Sequence, residues 1–264
     1  TSKVSKGRAQ TSSVFIALWN LLNSPFTEKK TTCNTEKKSF YFFLAKKKEP
    51  TGGRTMAKAA DVYFQVDPWK VIEQGFDPAY ARVSESIFSL GNESIGVRGC
   101  FDEGGHVDSL RGAYTNGIYD MEKLSRSYKG IIDKTHFMIP SAEWLMTTIS
   151  VDGETLDLGQ SQFSDFTREL DLRAGTLTRR FLWTTKSGKQ IRLTFLRFLD
   201  MVHRERAYQR ITLEALNFTG SATVTSGVSF DVVHEGRQKC FWQETRIDAK
   251  PDCLMAQSRT TLSN

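Results

Sequence analysis

The chain has 264 residues, 39% of them hydrophobic and 25% charged, enough apolar material for a packed core and too much for a disordered polypeptide. The formal net charge of +6 is local: residues 1–55 hold eleven Lys and Arg against three acids, leaving 25 bases against 27 acids from Met56 onward. A nearly neutral body argues against a nucleic-acid binder, and the lack of any apolar run near the roughly 20 residues that span a bilayer against a helical membrane protein, so no nucleic-acid and no membrane partner is expected.

Cys33, Cys100, Cys240 and Cys253 show no CxxC or CxH spacing, so neither a metal site nor a cofactor is expected, and a reduced, cytoplasmic protein fits. Residues 1–55 read as a basic leader, disordered or not native, in which Val14 to Leu22 and Phe40 to Ala45 are apolar without a sustained period. Asn20 and the lack of a small-x-small site argue against a signal peptide, and a basic arm for nucleic acid or a membrane surface is the other alternative. The leading reading starts the protein at Met56 and takes 56–264 as one domain.

From Asp61 the pattern is that of strands. Asp61 to Val66 is extended and ends at Asp67-Pro68, since proline cannot donate to a ladder. Glu85 to Gly99 reads as a hairpin with both arms extended, reversing at Gly91 and Asn92. Asp102 and Glu103 are adjacent acids that alternate faces in extended chain, so they cannot flank one bond, and they read as a solvated loop. Gly112 to Tyr119 forms another strand and turn. Lys123 to Ser141 reads as a long loop, with His136 in it as a structural hydrogen-bonding group.

A hairpin series follows. Trp144 to Val151 runs into Asp152-Gly153, and Phe166 to Arg173 reaches Ala174-Gly175. Leu177, Arg179, Phe181 and Trp183 alternate with polar neighbours up to Ser187-Gly188. Ile191 to Leu199 carries apolar residues on both faces, as a central strand covered on each side would. Tyr208 to Ala215 and Ser221 to Phe230 add two more, and turns about every ten residues predict an all-β fold, a large antiparallel β-sandwich. In the tail, the aromatic pair Phe241 and Trp242 lies beside Arg237, Lys239 and Glu244, and Trp242 is the candidate sugar contact.

With these segments in place, the chain from about Asp61 to Trp242 resembles the N-terminal domain of glycoside hydrolase family 65, the family of maltose, kojibiose, nigerose and trehalose phosphorylases. The matching stretches are DPWKVIEQGFDP (Asp67 to Pro78), ESIFSLGNESIGVRG (Glu85 to Gly99), DEGG followed by GAYTNGIY, WLMTTISVDGETLDL (Trp144 to Leu158) and RELDLRAGTLTRRF (Arg168 to Phe181), extended by RLTFLRFLDM and RITLEALNFTG. DSLRGAYTNGIY and SQFSDFTRELDLR look closest to the maltose phosphorylase type. The resemblance implies a β-super-sandwich, truncated at its C-terminus in 56–264, that in the family precedes a helical linker and an (α/α)6 barrel bearing the catalytic acid. It implies a homodimeric parent that acts on an α-linked disaccharide by inversion, with inorganic phosphate as co-substrate. This chain has no long run of paired amphipathic helices, so no catalytic residue is assigned, and Glu85, Glu103 and Glu143 do not inherit the role of the acid. The rival readings are a stand-alone carbohydrate-binding module with a platform at Trp144, Trp183 or Trp242, and a fragment of a family 65 hydrolase such as a trehalase.

Overall fold

The computed structural model describes residues 11–18, 64–128, 130, 132–250 and 253–261. In chain order the first strands are β1 (Thr11–Leu18), β2 (Phe64–Val66) and β3 (Lys70–Gln74), after which a 3-10 turn (Pro78–Tyr80) runs into the helix α1 (Ala81–Ile87). Then come β4 (Leu90–Gly91), β5 (Ile95–Val97), β6 (Ala113–Thr115), β7 (Tyr119–Tyr128), β8 (Ile132–Met138), β9 (Thr147–Val151) and β10 (Glu154–Thr155). The long strands are β11 (Gln162–Asp171), β12 (Thr176–Thr184), β13 (Gln190–Leu199) and β14 (Ala207–Ala215). The remaining strands are β15 (Ala222–Ser226), β16 (Val233–His234), β17 (Lys239–Cys240), β18 (Trp242–Lys250) and β19 (Cys253–Thr260).

One antiparallel sheet organises the molecule, in the order β1-β14-β13-β12-β11-β3-β2. Its connections are the predicted turns: Gly175 and Gly188 take φ of 64° and 79°, and Asp152 and Gly153 take 51° and 83° in the turn from β9 to β10. Glycine adopts that left-handed region at little steric cost, which is why these pairs set the register of the flanking strands. The inner face of the large sheet is apolar at both ends. At one end Phe181, Trp183, Ile191, Leu193 and Ile211 pack against Ile149 and Val151 of the sheet β10-β9-β15. At the other, Leu199 and Ala207 pack against Ile95, Val97 and Ala113 of the sheet β4-β5-β6. The fold is therefore an all-β antiparallel sandwich, and β13 is an inner strand of the large sheet, but only one of its faces is buried, the other being half-buried or exposed rather than covered as its two-sided apolar pattern predicts.

Three segments depart from the sequence reading. Residues 81–87 are helical, not the first arm of a hairpin, and only Leu90–Gly91 and Ile95–Val97 pair around the Asn92 turn. Asp77 Oδ1 accepts from the Ala79 amide at 2.9 Å and starts the turn, and Ala81, Ser84, Glu85 and Phe88 form the buried face at the i, i+3, i+4, i+7 spacing of a helix. Residues 123–138 are not a loop: β7 and β8 pair as a ribbon, tied down where Phe137 meets Phe241 and His234 and where Arg237 stacks on Phe137. His136 stands exposed on β8, opposite Met121. The tail, read without strands, carries β16 to β19. Within the leader, Thr11–Leu18 pairs with β14 along the sheet edge, and the apolar run Phe40 to Ala45 lies outside the described residues.

Candidate functional site

Between the two apolar ends of the large sheet, its inner face carries a row of polar side chains. Arg168 on β11 lies opposite Arg179 on β12, and Arg197 on β13 lies opposite Gln209 on β14. All four are buried, each in the inward phase of its strand. Buried guanidinium groups require anions or carbonyls, because an unpaired charge in an apolar interior costs several kcal/mol. The segment Arg98 to Glu103 supplies both.

That segment crosses the sheet without joining a ladder, and side chains or the first amide of β9 meet its backbone carbonyls instead. Arg197 donates to the carbonyl oxygens of Arg98 at 3.1 Å and Cys100 at 2.9 Å, Arg168 to that of Gly99 at 2.9 Å, and Arg111 to that of Phe101 at 2.6 Å. The Thr147 amide donates to the carbonyl of Asp102 at 3.2 Å. Five consecutive carbonyls are thereby satisfied, the accounting that buried irregular backbone demands. Gly99 has to be glycine for a steric reason: a Cβ there would sit 2.7 Å from Phe88 Cβ and 2.8 Å from the Phe88 carbonyl.

The acids of the same segment complete the belt. Asp102 Oδ2 lies 3.0 Å from Arg197 and 3.3 Å from Arg179, and Gln209 donates to its Oδ1. Arg179 grips Glu103 with both terminal nitrogens, Nη1 to Oε1 at 2.7 Å, and its guanidinium lies 4.2 Å from the ring centres of Phe101 and Phe195. On the far side Arg168 Nε donates to Glu73 Oε2 at 2.6 Å, and Ser84 Oγ donates to Glu73 Oε1 at 2.8 Å. Burial alone would push the Asp102 carboxyl up, but Arg197 and Arg179 outweigh it and hold it below the usual carboxylate range. Burial pulls the Arg168 guanidinium down, whereas Glu103 overrides burial and raises Arg179.

Asp102 and Glu103 are thus ion-paired in the interior, not solvated as the sequence reading had them. They still cannot act as an acid and base across one bond, since both are occupied by Arg179. Beside the belt opens a small cleft lined by Phe76, Phe101, Val107, Ser109, Glu85 and Arg111. Its polar groups are also engaged: Glu85 accepts from Ser109 Oγ and from the Leu110 amide at 2.8 Å, and Arg111 donates to Glu143 at 3.1 Å. The rim loop is fastened at Asp157, which accepts from the His106 ring and from its amide at 3.1 Å. Among the described residues no group of three or more His, Cys, Asp and Glu could hold a metal ion, and no helix is long and apolar enough to cross a membrane.

The candidate sugar contact Trp242 begins β18. Its indole Nε1 donates to the Pro140 carbonyl at 2.7 Å, and its ring meets Phe230 edge-on with centres 5.0 Å apart. Trp144 and Trp183, offered as platform residues, are 2% and 0% exposed and belong to the core. The sequence reading missed the belt, although Arg179 and Arg197 stand in the apolar phase of their strands, a visible signal.

The arrangement matches a known domain. The model of the glycosyl hydrolase family 65 N-terminal domain matches residues 71–264. The chain belongs to family 65. Among its relatives, the maltose phosphorylase of Bacillus subtilis is 33% identical over 187 residues, which cover 69% of this chain and 24% of that protein. An uncharacterized glycosyl hydrolase of Mycobacterium tuberculosis is 33% identical over 165 residues, 62% of this chain and 21% of that one. The structure of a putative kojibiose phosphorylase from the human microbiome superposes with a TM-score of 0.71 at 35% identity, over 76% of this chain and 27% of that chain. The family 65 chain described here therefore spans about a quarter of the length of these relatives.

Proposed function

We propose that this chain is the non-catalytic sandwich of an inverting phosphorylase that acts on an α-glucosyl disaccharide such as maltose. In that reaction a carboxylic acid protonates the glycosidic oxygen as the bond from C1 breaks. An oxygen of inorganic phosphate forms the new bond from the opposite face, giving β-glucose 1-phosphate and glucose. The reading rests on one observation: Glu73, Glu85, Asp102, Glu103 and Glu143 are each held by an arginine, a hydroxyl or a backbone amide. A carboxyl engaged in this way is not presented to a glycosidic oxygen. The likeness to a maltose phosphorylase favours phosphorolysis, and the acid and the phosphate site would come from the greater part of the family's length that this chain does not span.

The test is an assay of the 264-residue chain with maltose and inorganic phosphate, followed for glucose 1-phosphate. No release is expected, and release by this chain refutes the non-catalytic reading. In parallel, a full-length protein carrying this sandwich should consume maltose only when phosphate is present. Phosphate-independent release of glucose would refute the phosphorylase reading in favour of hydrolysis.

A further inference from the structure

Trp69 stands in water, 48% exposed, whereas the tryptophans read as sugar platforms lie in the core or are tied to Pro140. It occupies the turn from β2 to β3 at one end of the large sheet and is fixed there on both sides. Its amide donates to Asp67 Oδ1 at 2.8 Å, and its carbonyl accepts at 2.8 Å from the amide of Leu172, on the neighbouring turn from β11 to β12. That turn is pinned in the same way, with Asp171 Oδ1 accepting from the Arg173 and Ala174 amides at 2.9 Å. From it Arg173 reaches over the indole, its guanidinium carbon 4.3 Å from the ring centre. One face of the ring is thus backed by a cation, so the exposure that remains falls on the other face and the outer edge. Single apolar side chains on a surface need no explanation, but a large ring held by two pinned turns and a stacked guanidinium is a binding surface set in advance.

We propose that Trp69 is the stacking platform for one pyranose ring of an α-linked gluco-oligosaccharide. A pyranose turns an apolar C–H surface to an aromatic face and needs polar groups around that face for its hydroxyls. Both kinds of polar group stand beside this ring. The Arg173 guanidinium makes no hydrogen bond to a described residue and keeps its N–H donors, and Asp67, whose Oδ1 takes the Trp69 amide, keeps Oδ2 as an acceptor. Leu172, 45% exposed and bonded through its amide to Trp69, extends the apolar floor. Because the ring is held before the sugar arrives, little side-chain freedom is lost on binding. A single platform makes a weak site, with Kd on the order of millimolar. The choice of an α-glucan as ligand rests on the reaction proposed above, whereas the platform itself does not.

Titration of the 264-residue chain with maltotriose, followed through its indole N–H resonances by NMR, tests the site, with circular dichroism to verify that each variant keeps the fold. One indole resonance, the one missing from the Trp69→Ala spectrum, should shift saturably. Trp69→Ala should weaken binding by about tenfold or more, the loss of one stacked ring. Trp242→Phe, which keeps a ring but not the hydrogen bond to Pro140, should bind as wild type does. In a native gel containing amylopectin, a full-length protein carrying this sandwich should migrate more slowly than its Trp69→Ala variant. No saturable shift, a Trp69→Ala chain that binds as tightly as wild type, binding lost in Trp242→Phe, or equal migration of the two full-length proteins each overturns the proposal. The titration contains no phosphate and reads no turnover, so hydrolysis in place of phosphorolysis would refute the reaction proposed above and leave this site standing.

Discussion

Replacing Arg179 by Met is the sharpest test of the buried belt. The change removes both hydrogen bonds to Glu103, the contact to Asp102 at 3.3 Å and the stacking on Phe101 and Phe195, while methionine retains most of the volume. Asp102 keeps Arg197 and Gln209, but Glu103, whose side chain is 0% exposed, loses its guanidinium partner. Breaking a buried pair on one side costs about 3–5 kcal/mol, because a desolvated charge is left behind. At roughly 2–4 °C per kcal/mol for a domain of this size, Tm should fall by roughly 6–20 °C. Urea titration followed by tryptophan fluorescence measures the loss directly, with Arg180→Met, exposed on the opposite face, as the control expected within about 0.5 kcal/mol of wild type. Adding Glu103→Gln to R179M should recover part of the loss, with a coupling of about 1 kcal/mol or more across the cycle. An R179M variant within about 1 kcal/mol of wild type would refute the argument that this arginine is neutralising buried carboxylates.

Three further outcomes follow from the same geometry. Because Asp102 titrates lower in the folded chain, its contribution is complete above the unfolded value of about 3.9 and lost as pH falls toward the folded one, so acid titration should show wild-type stability dropping more steeply than that of Asp102→Asn. Gly99→Ala should lose roughly 1–3 kcal/mol by thermal melting, since its Cβ would meet Phe88 backbone that cannot swing aside. Cys253 is exposed, whereas Cys100 is buried and its thiol pushed up by that burial, so peptide mass spectrometry after native alkylation should find Cys253 modified and Cys100 modified only after denaturation.

How much of this was legible depended on which side chains marked the inner face. Strands β11 to β14 announced themselves because Phe166, Phe181, Trp183, Ile191, Leu193 and Ile211 keep a two-residue period between glycine turns. The helix α1 was hidden because two of its three buried positions are Ser84 and Glu85, polar residues that break the apolar stripe and are reconciled by partners outside the helix, Glu73 for one and Ser109 and the Leu110 amide for the other. The ribbon β7–β8 lacked the signal because at 119–123 and 133–136 mostly exposed side chains leave no apolar alternation to read. Asp102 failed for a different reason. Its burial is decided by Arg179 and Arg197, 77 and 95 residues downstream, and no local pattern encodes a counter-charge at that distance. Those arginines were themselves in plain view as cations in an apolar phase, and an inward arginine is a request for an anion.

The run of carbonyls from Arg98 to Asp102 has a kinetic meaning for the domain. Its hydrogen bonds reach into β11, β13 and the residues around Arg111 and Thr147, which are remote in sequence, so the segment cannot peel away piecemeal. Lifting it would strand charged donors on three sides of the interior at once. The amide protons of β12 and β13 beneath it should accordingly exchange with solvent only through opening of the whole sandwich, making this short irregular stretch the latch on the cooperative unit.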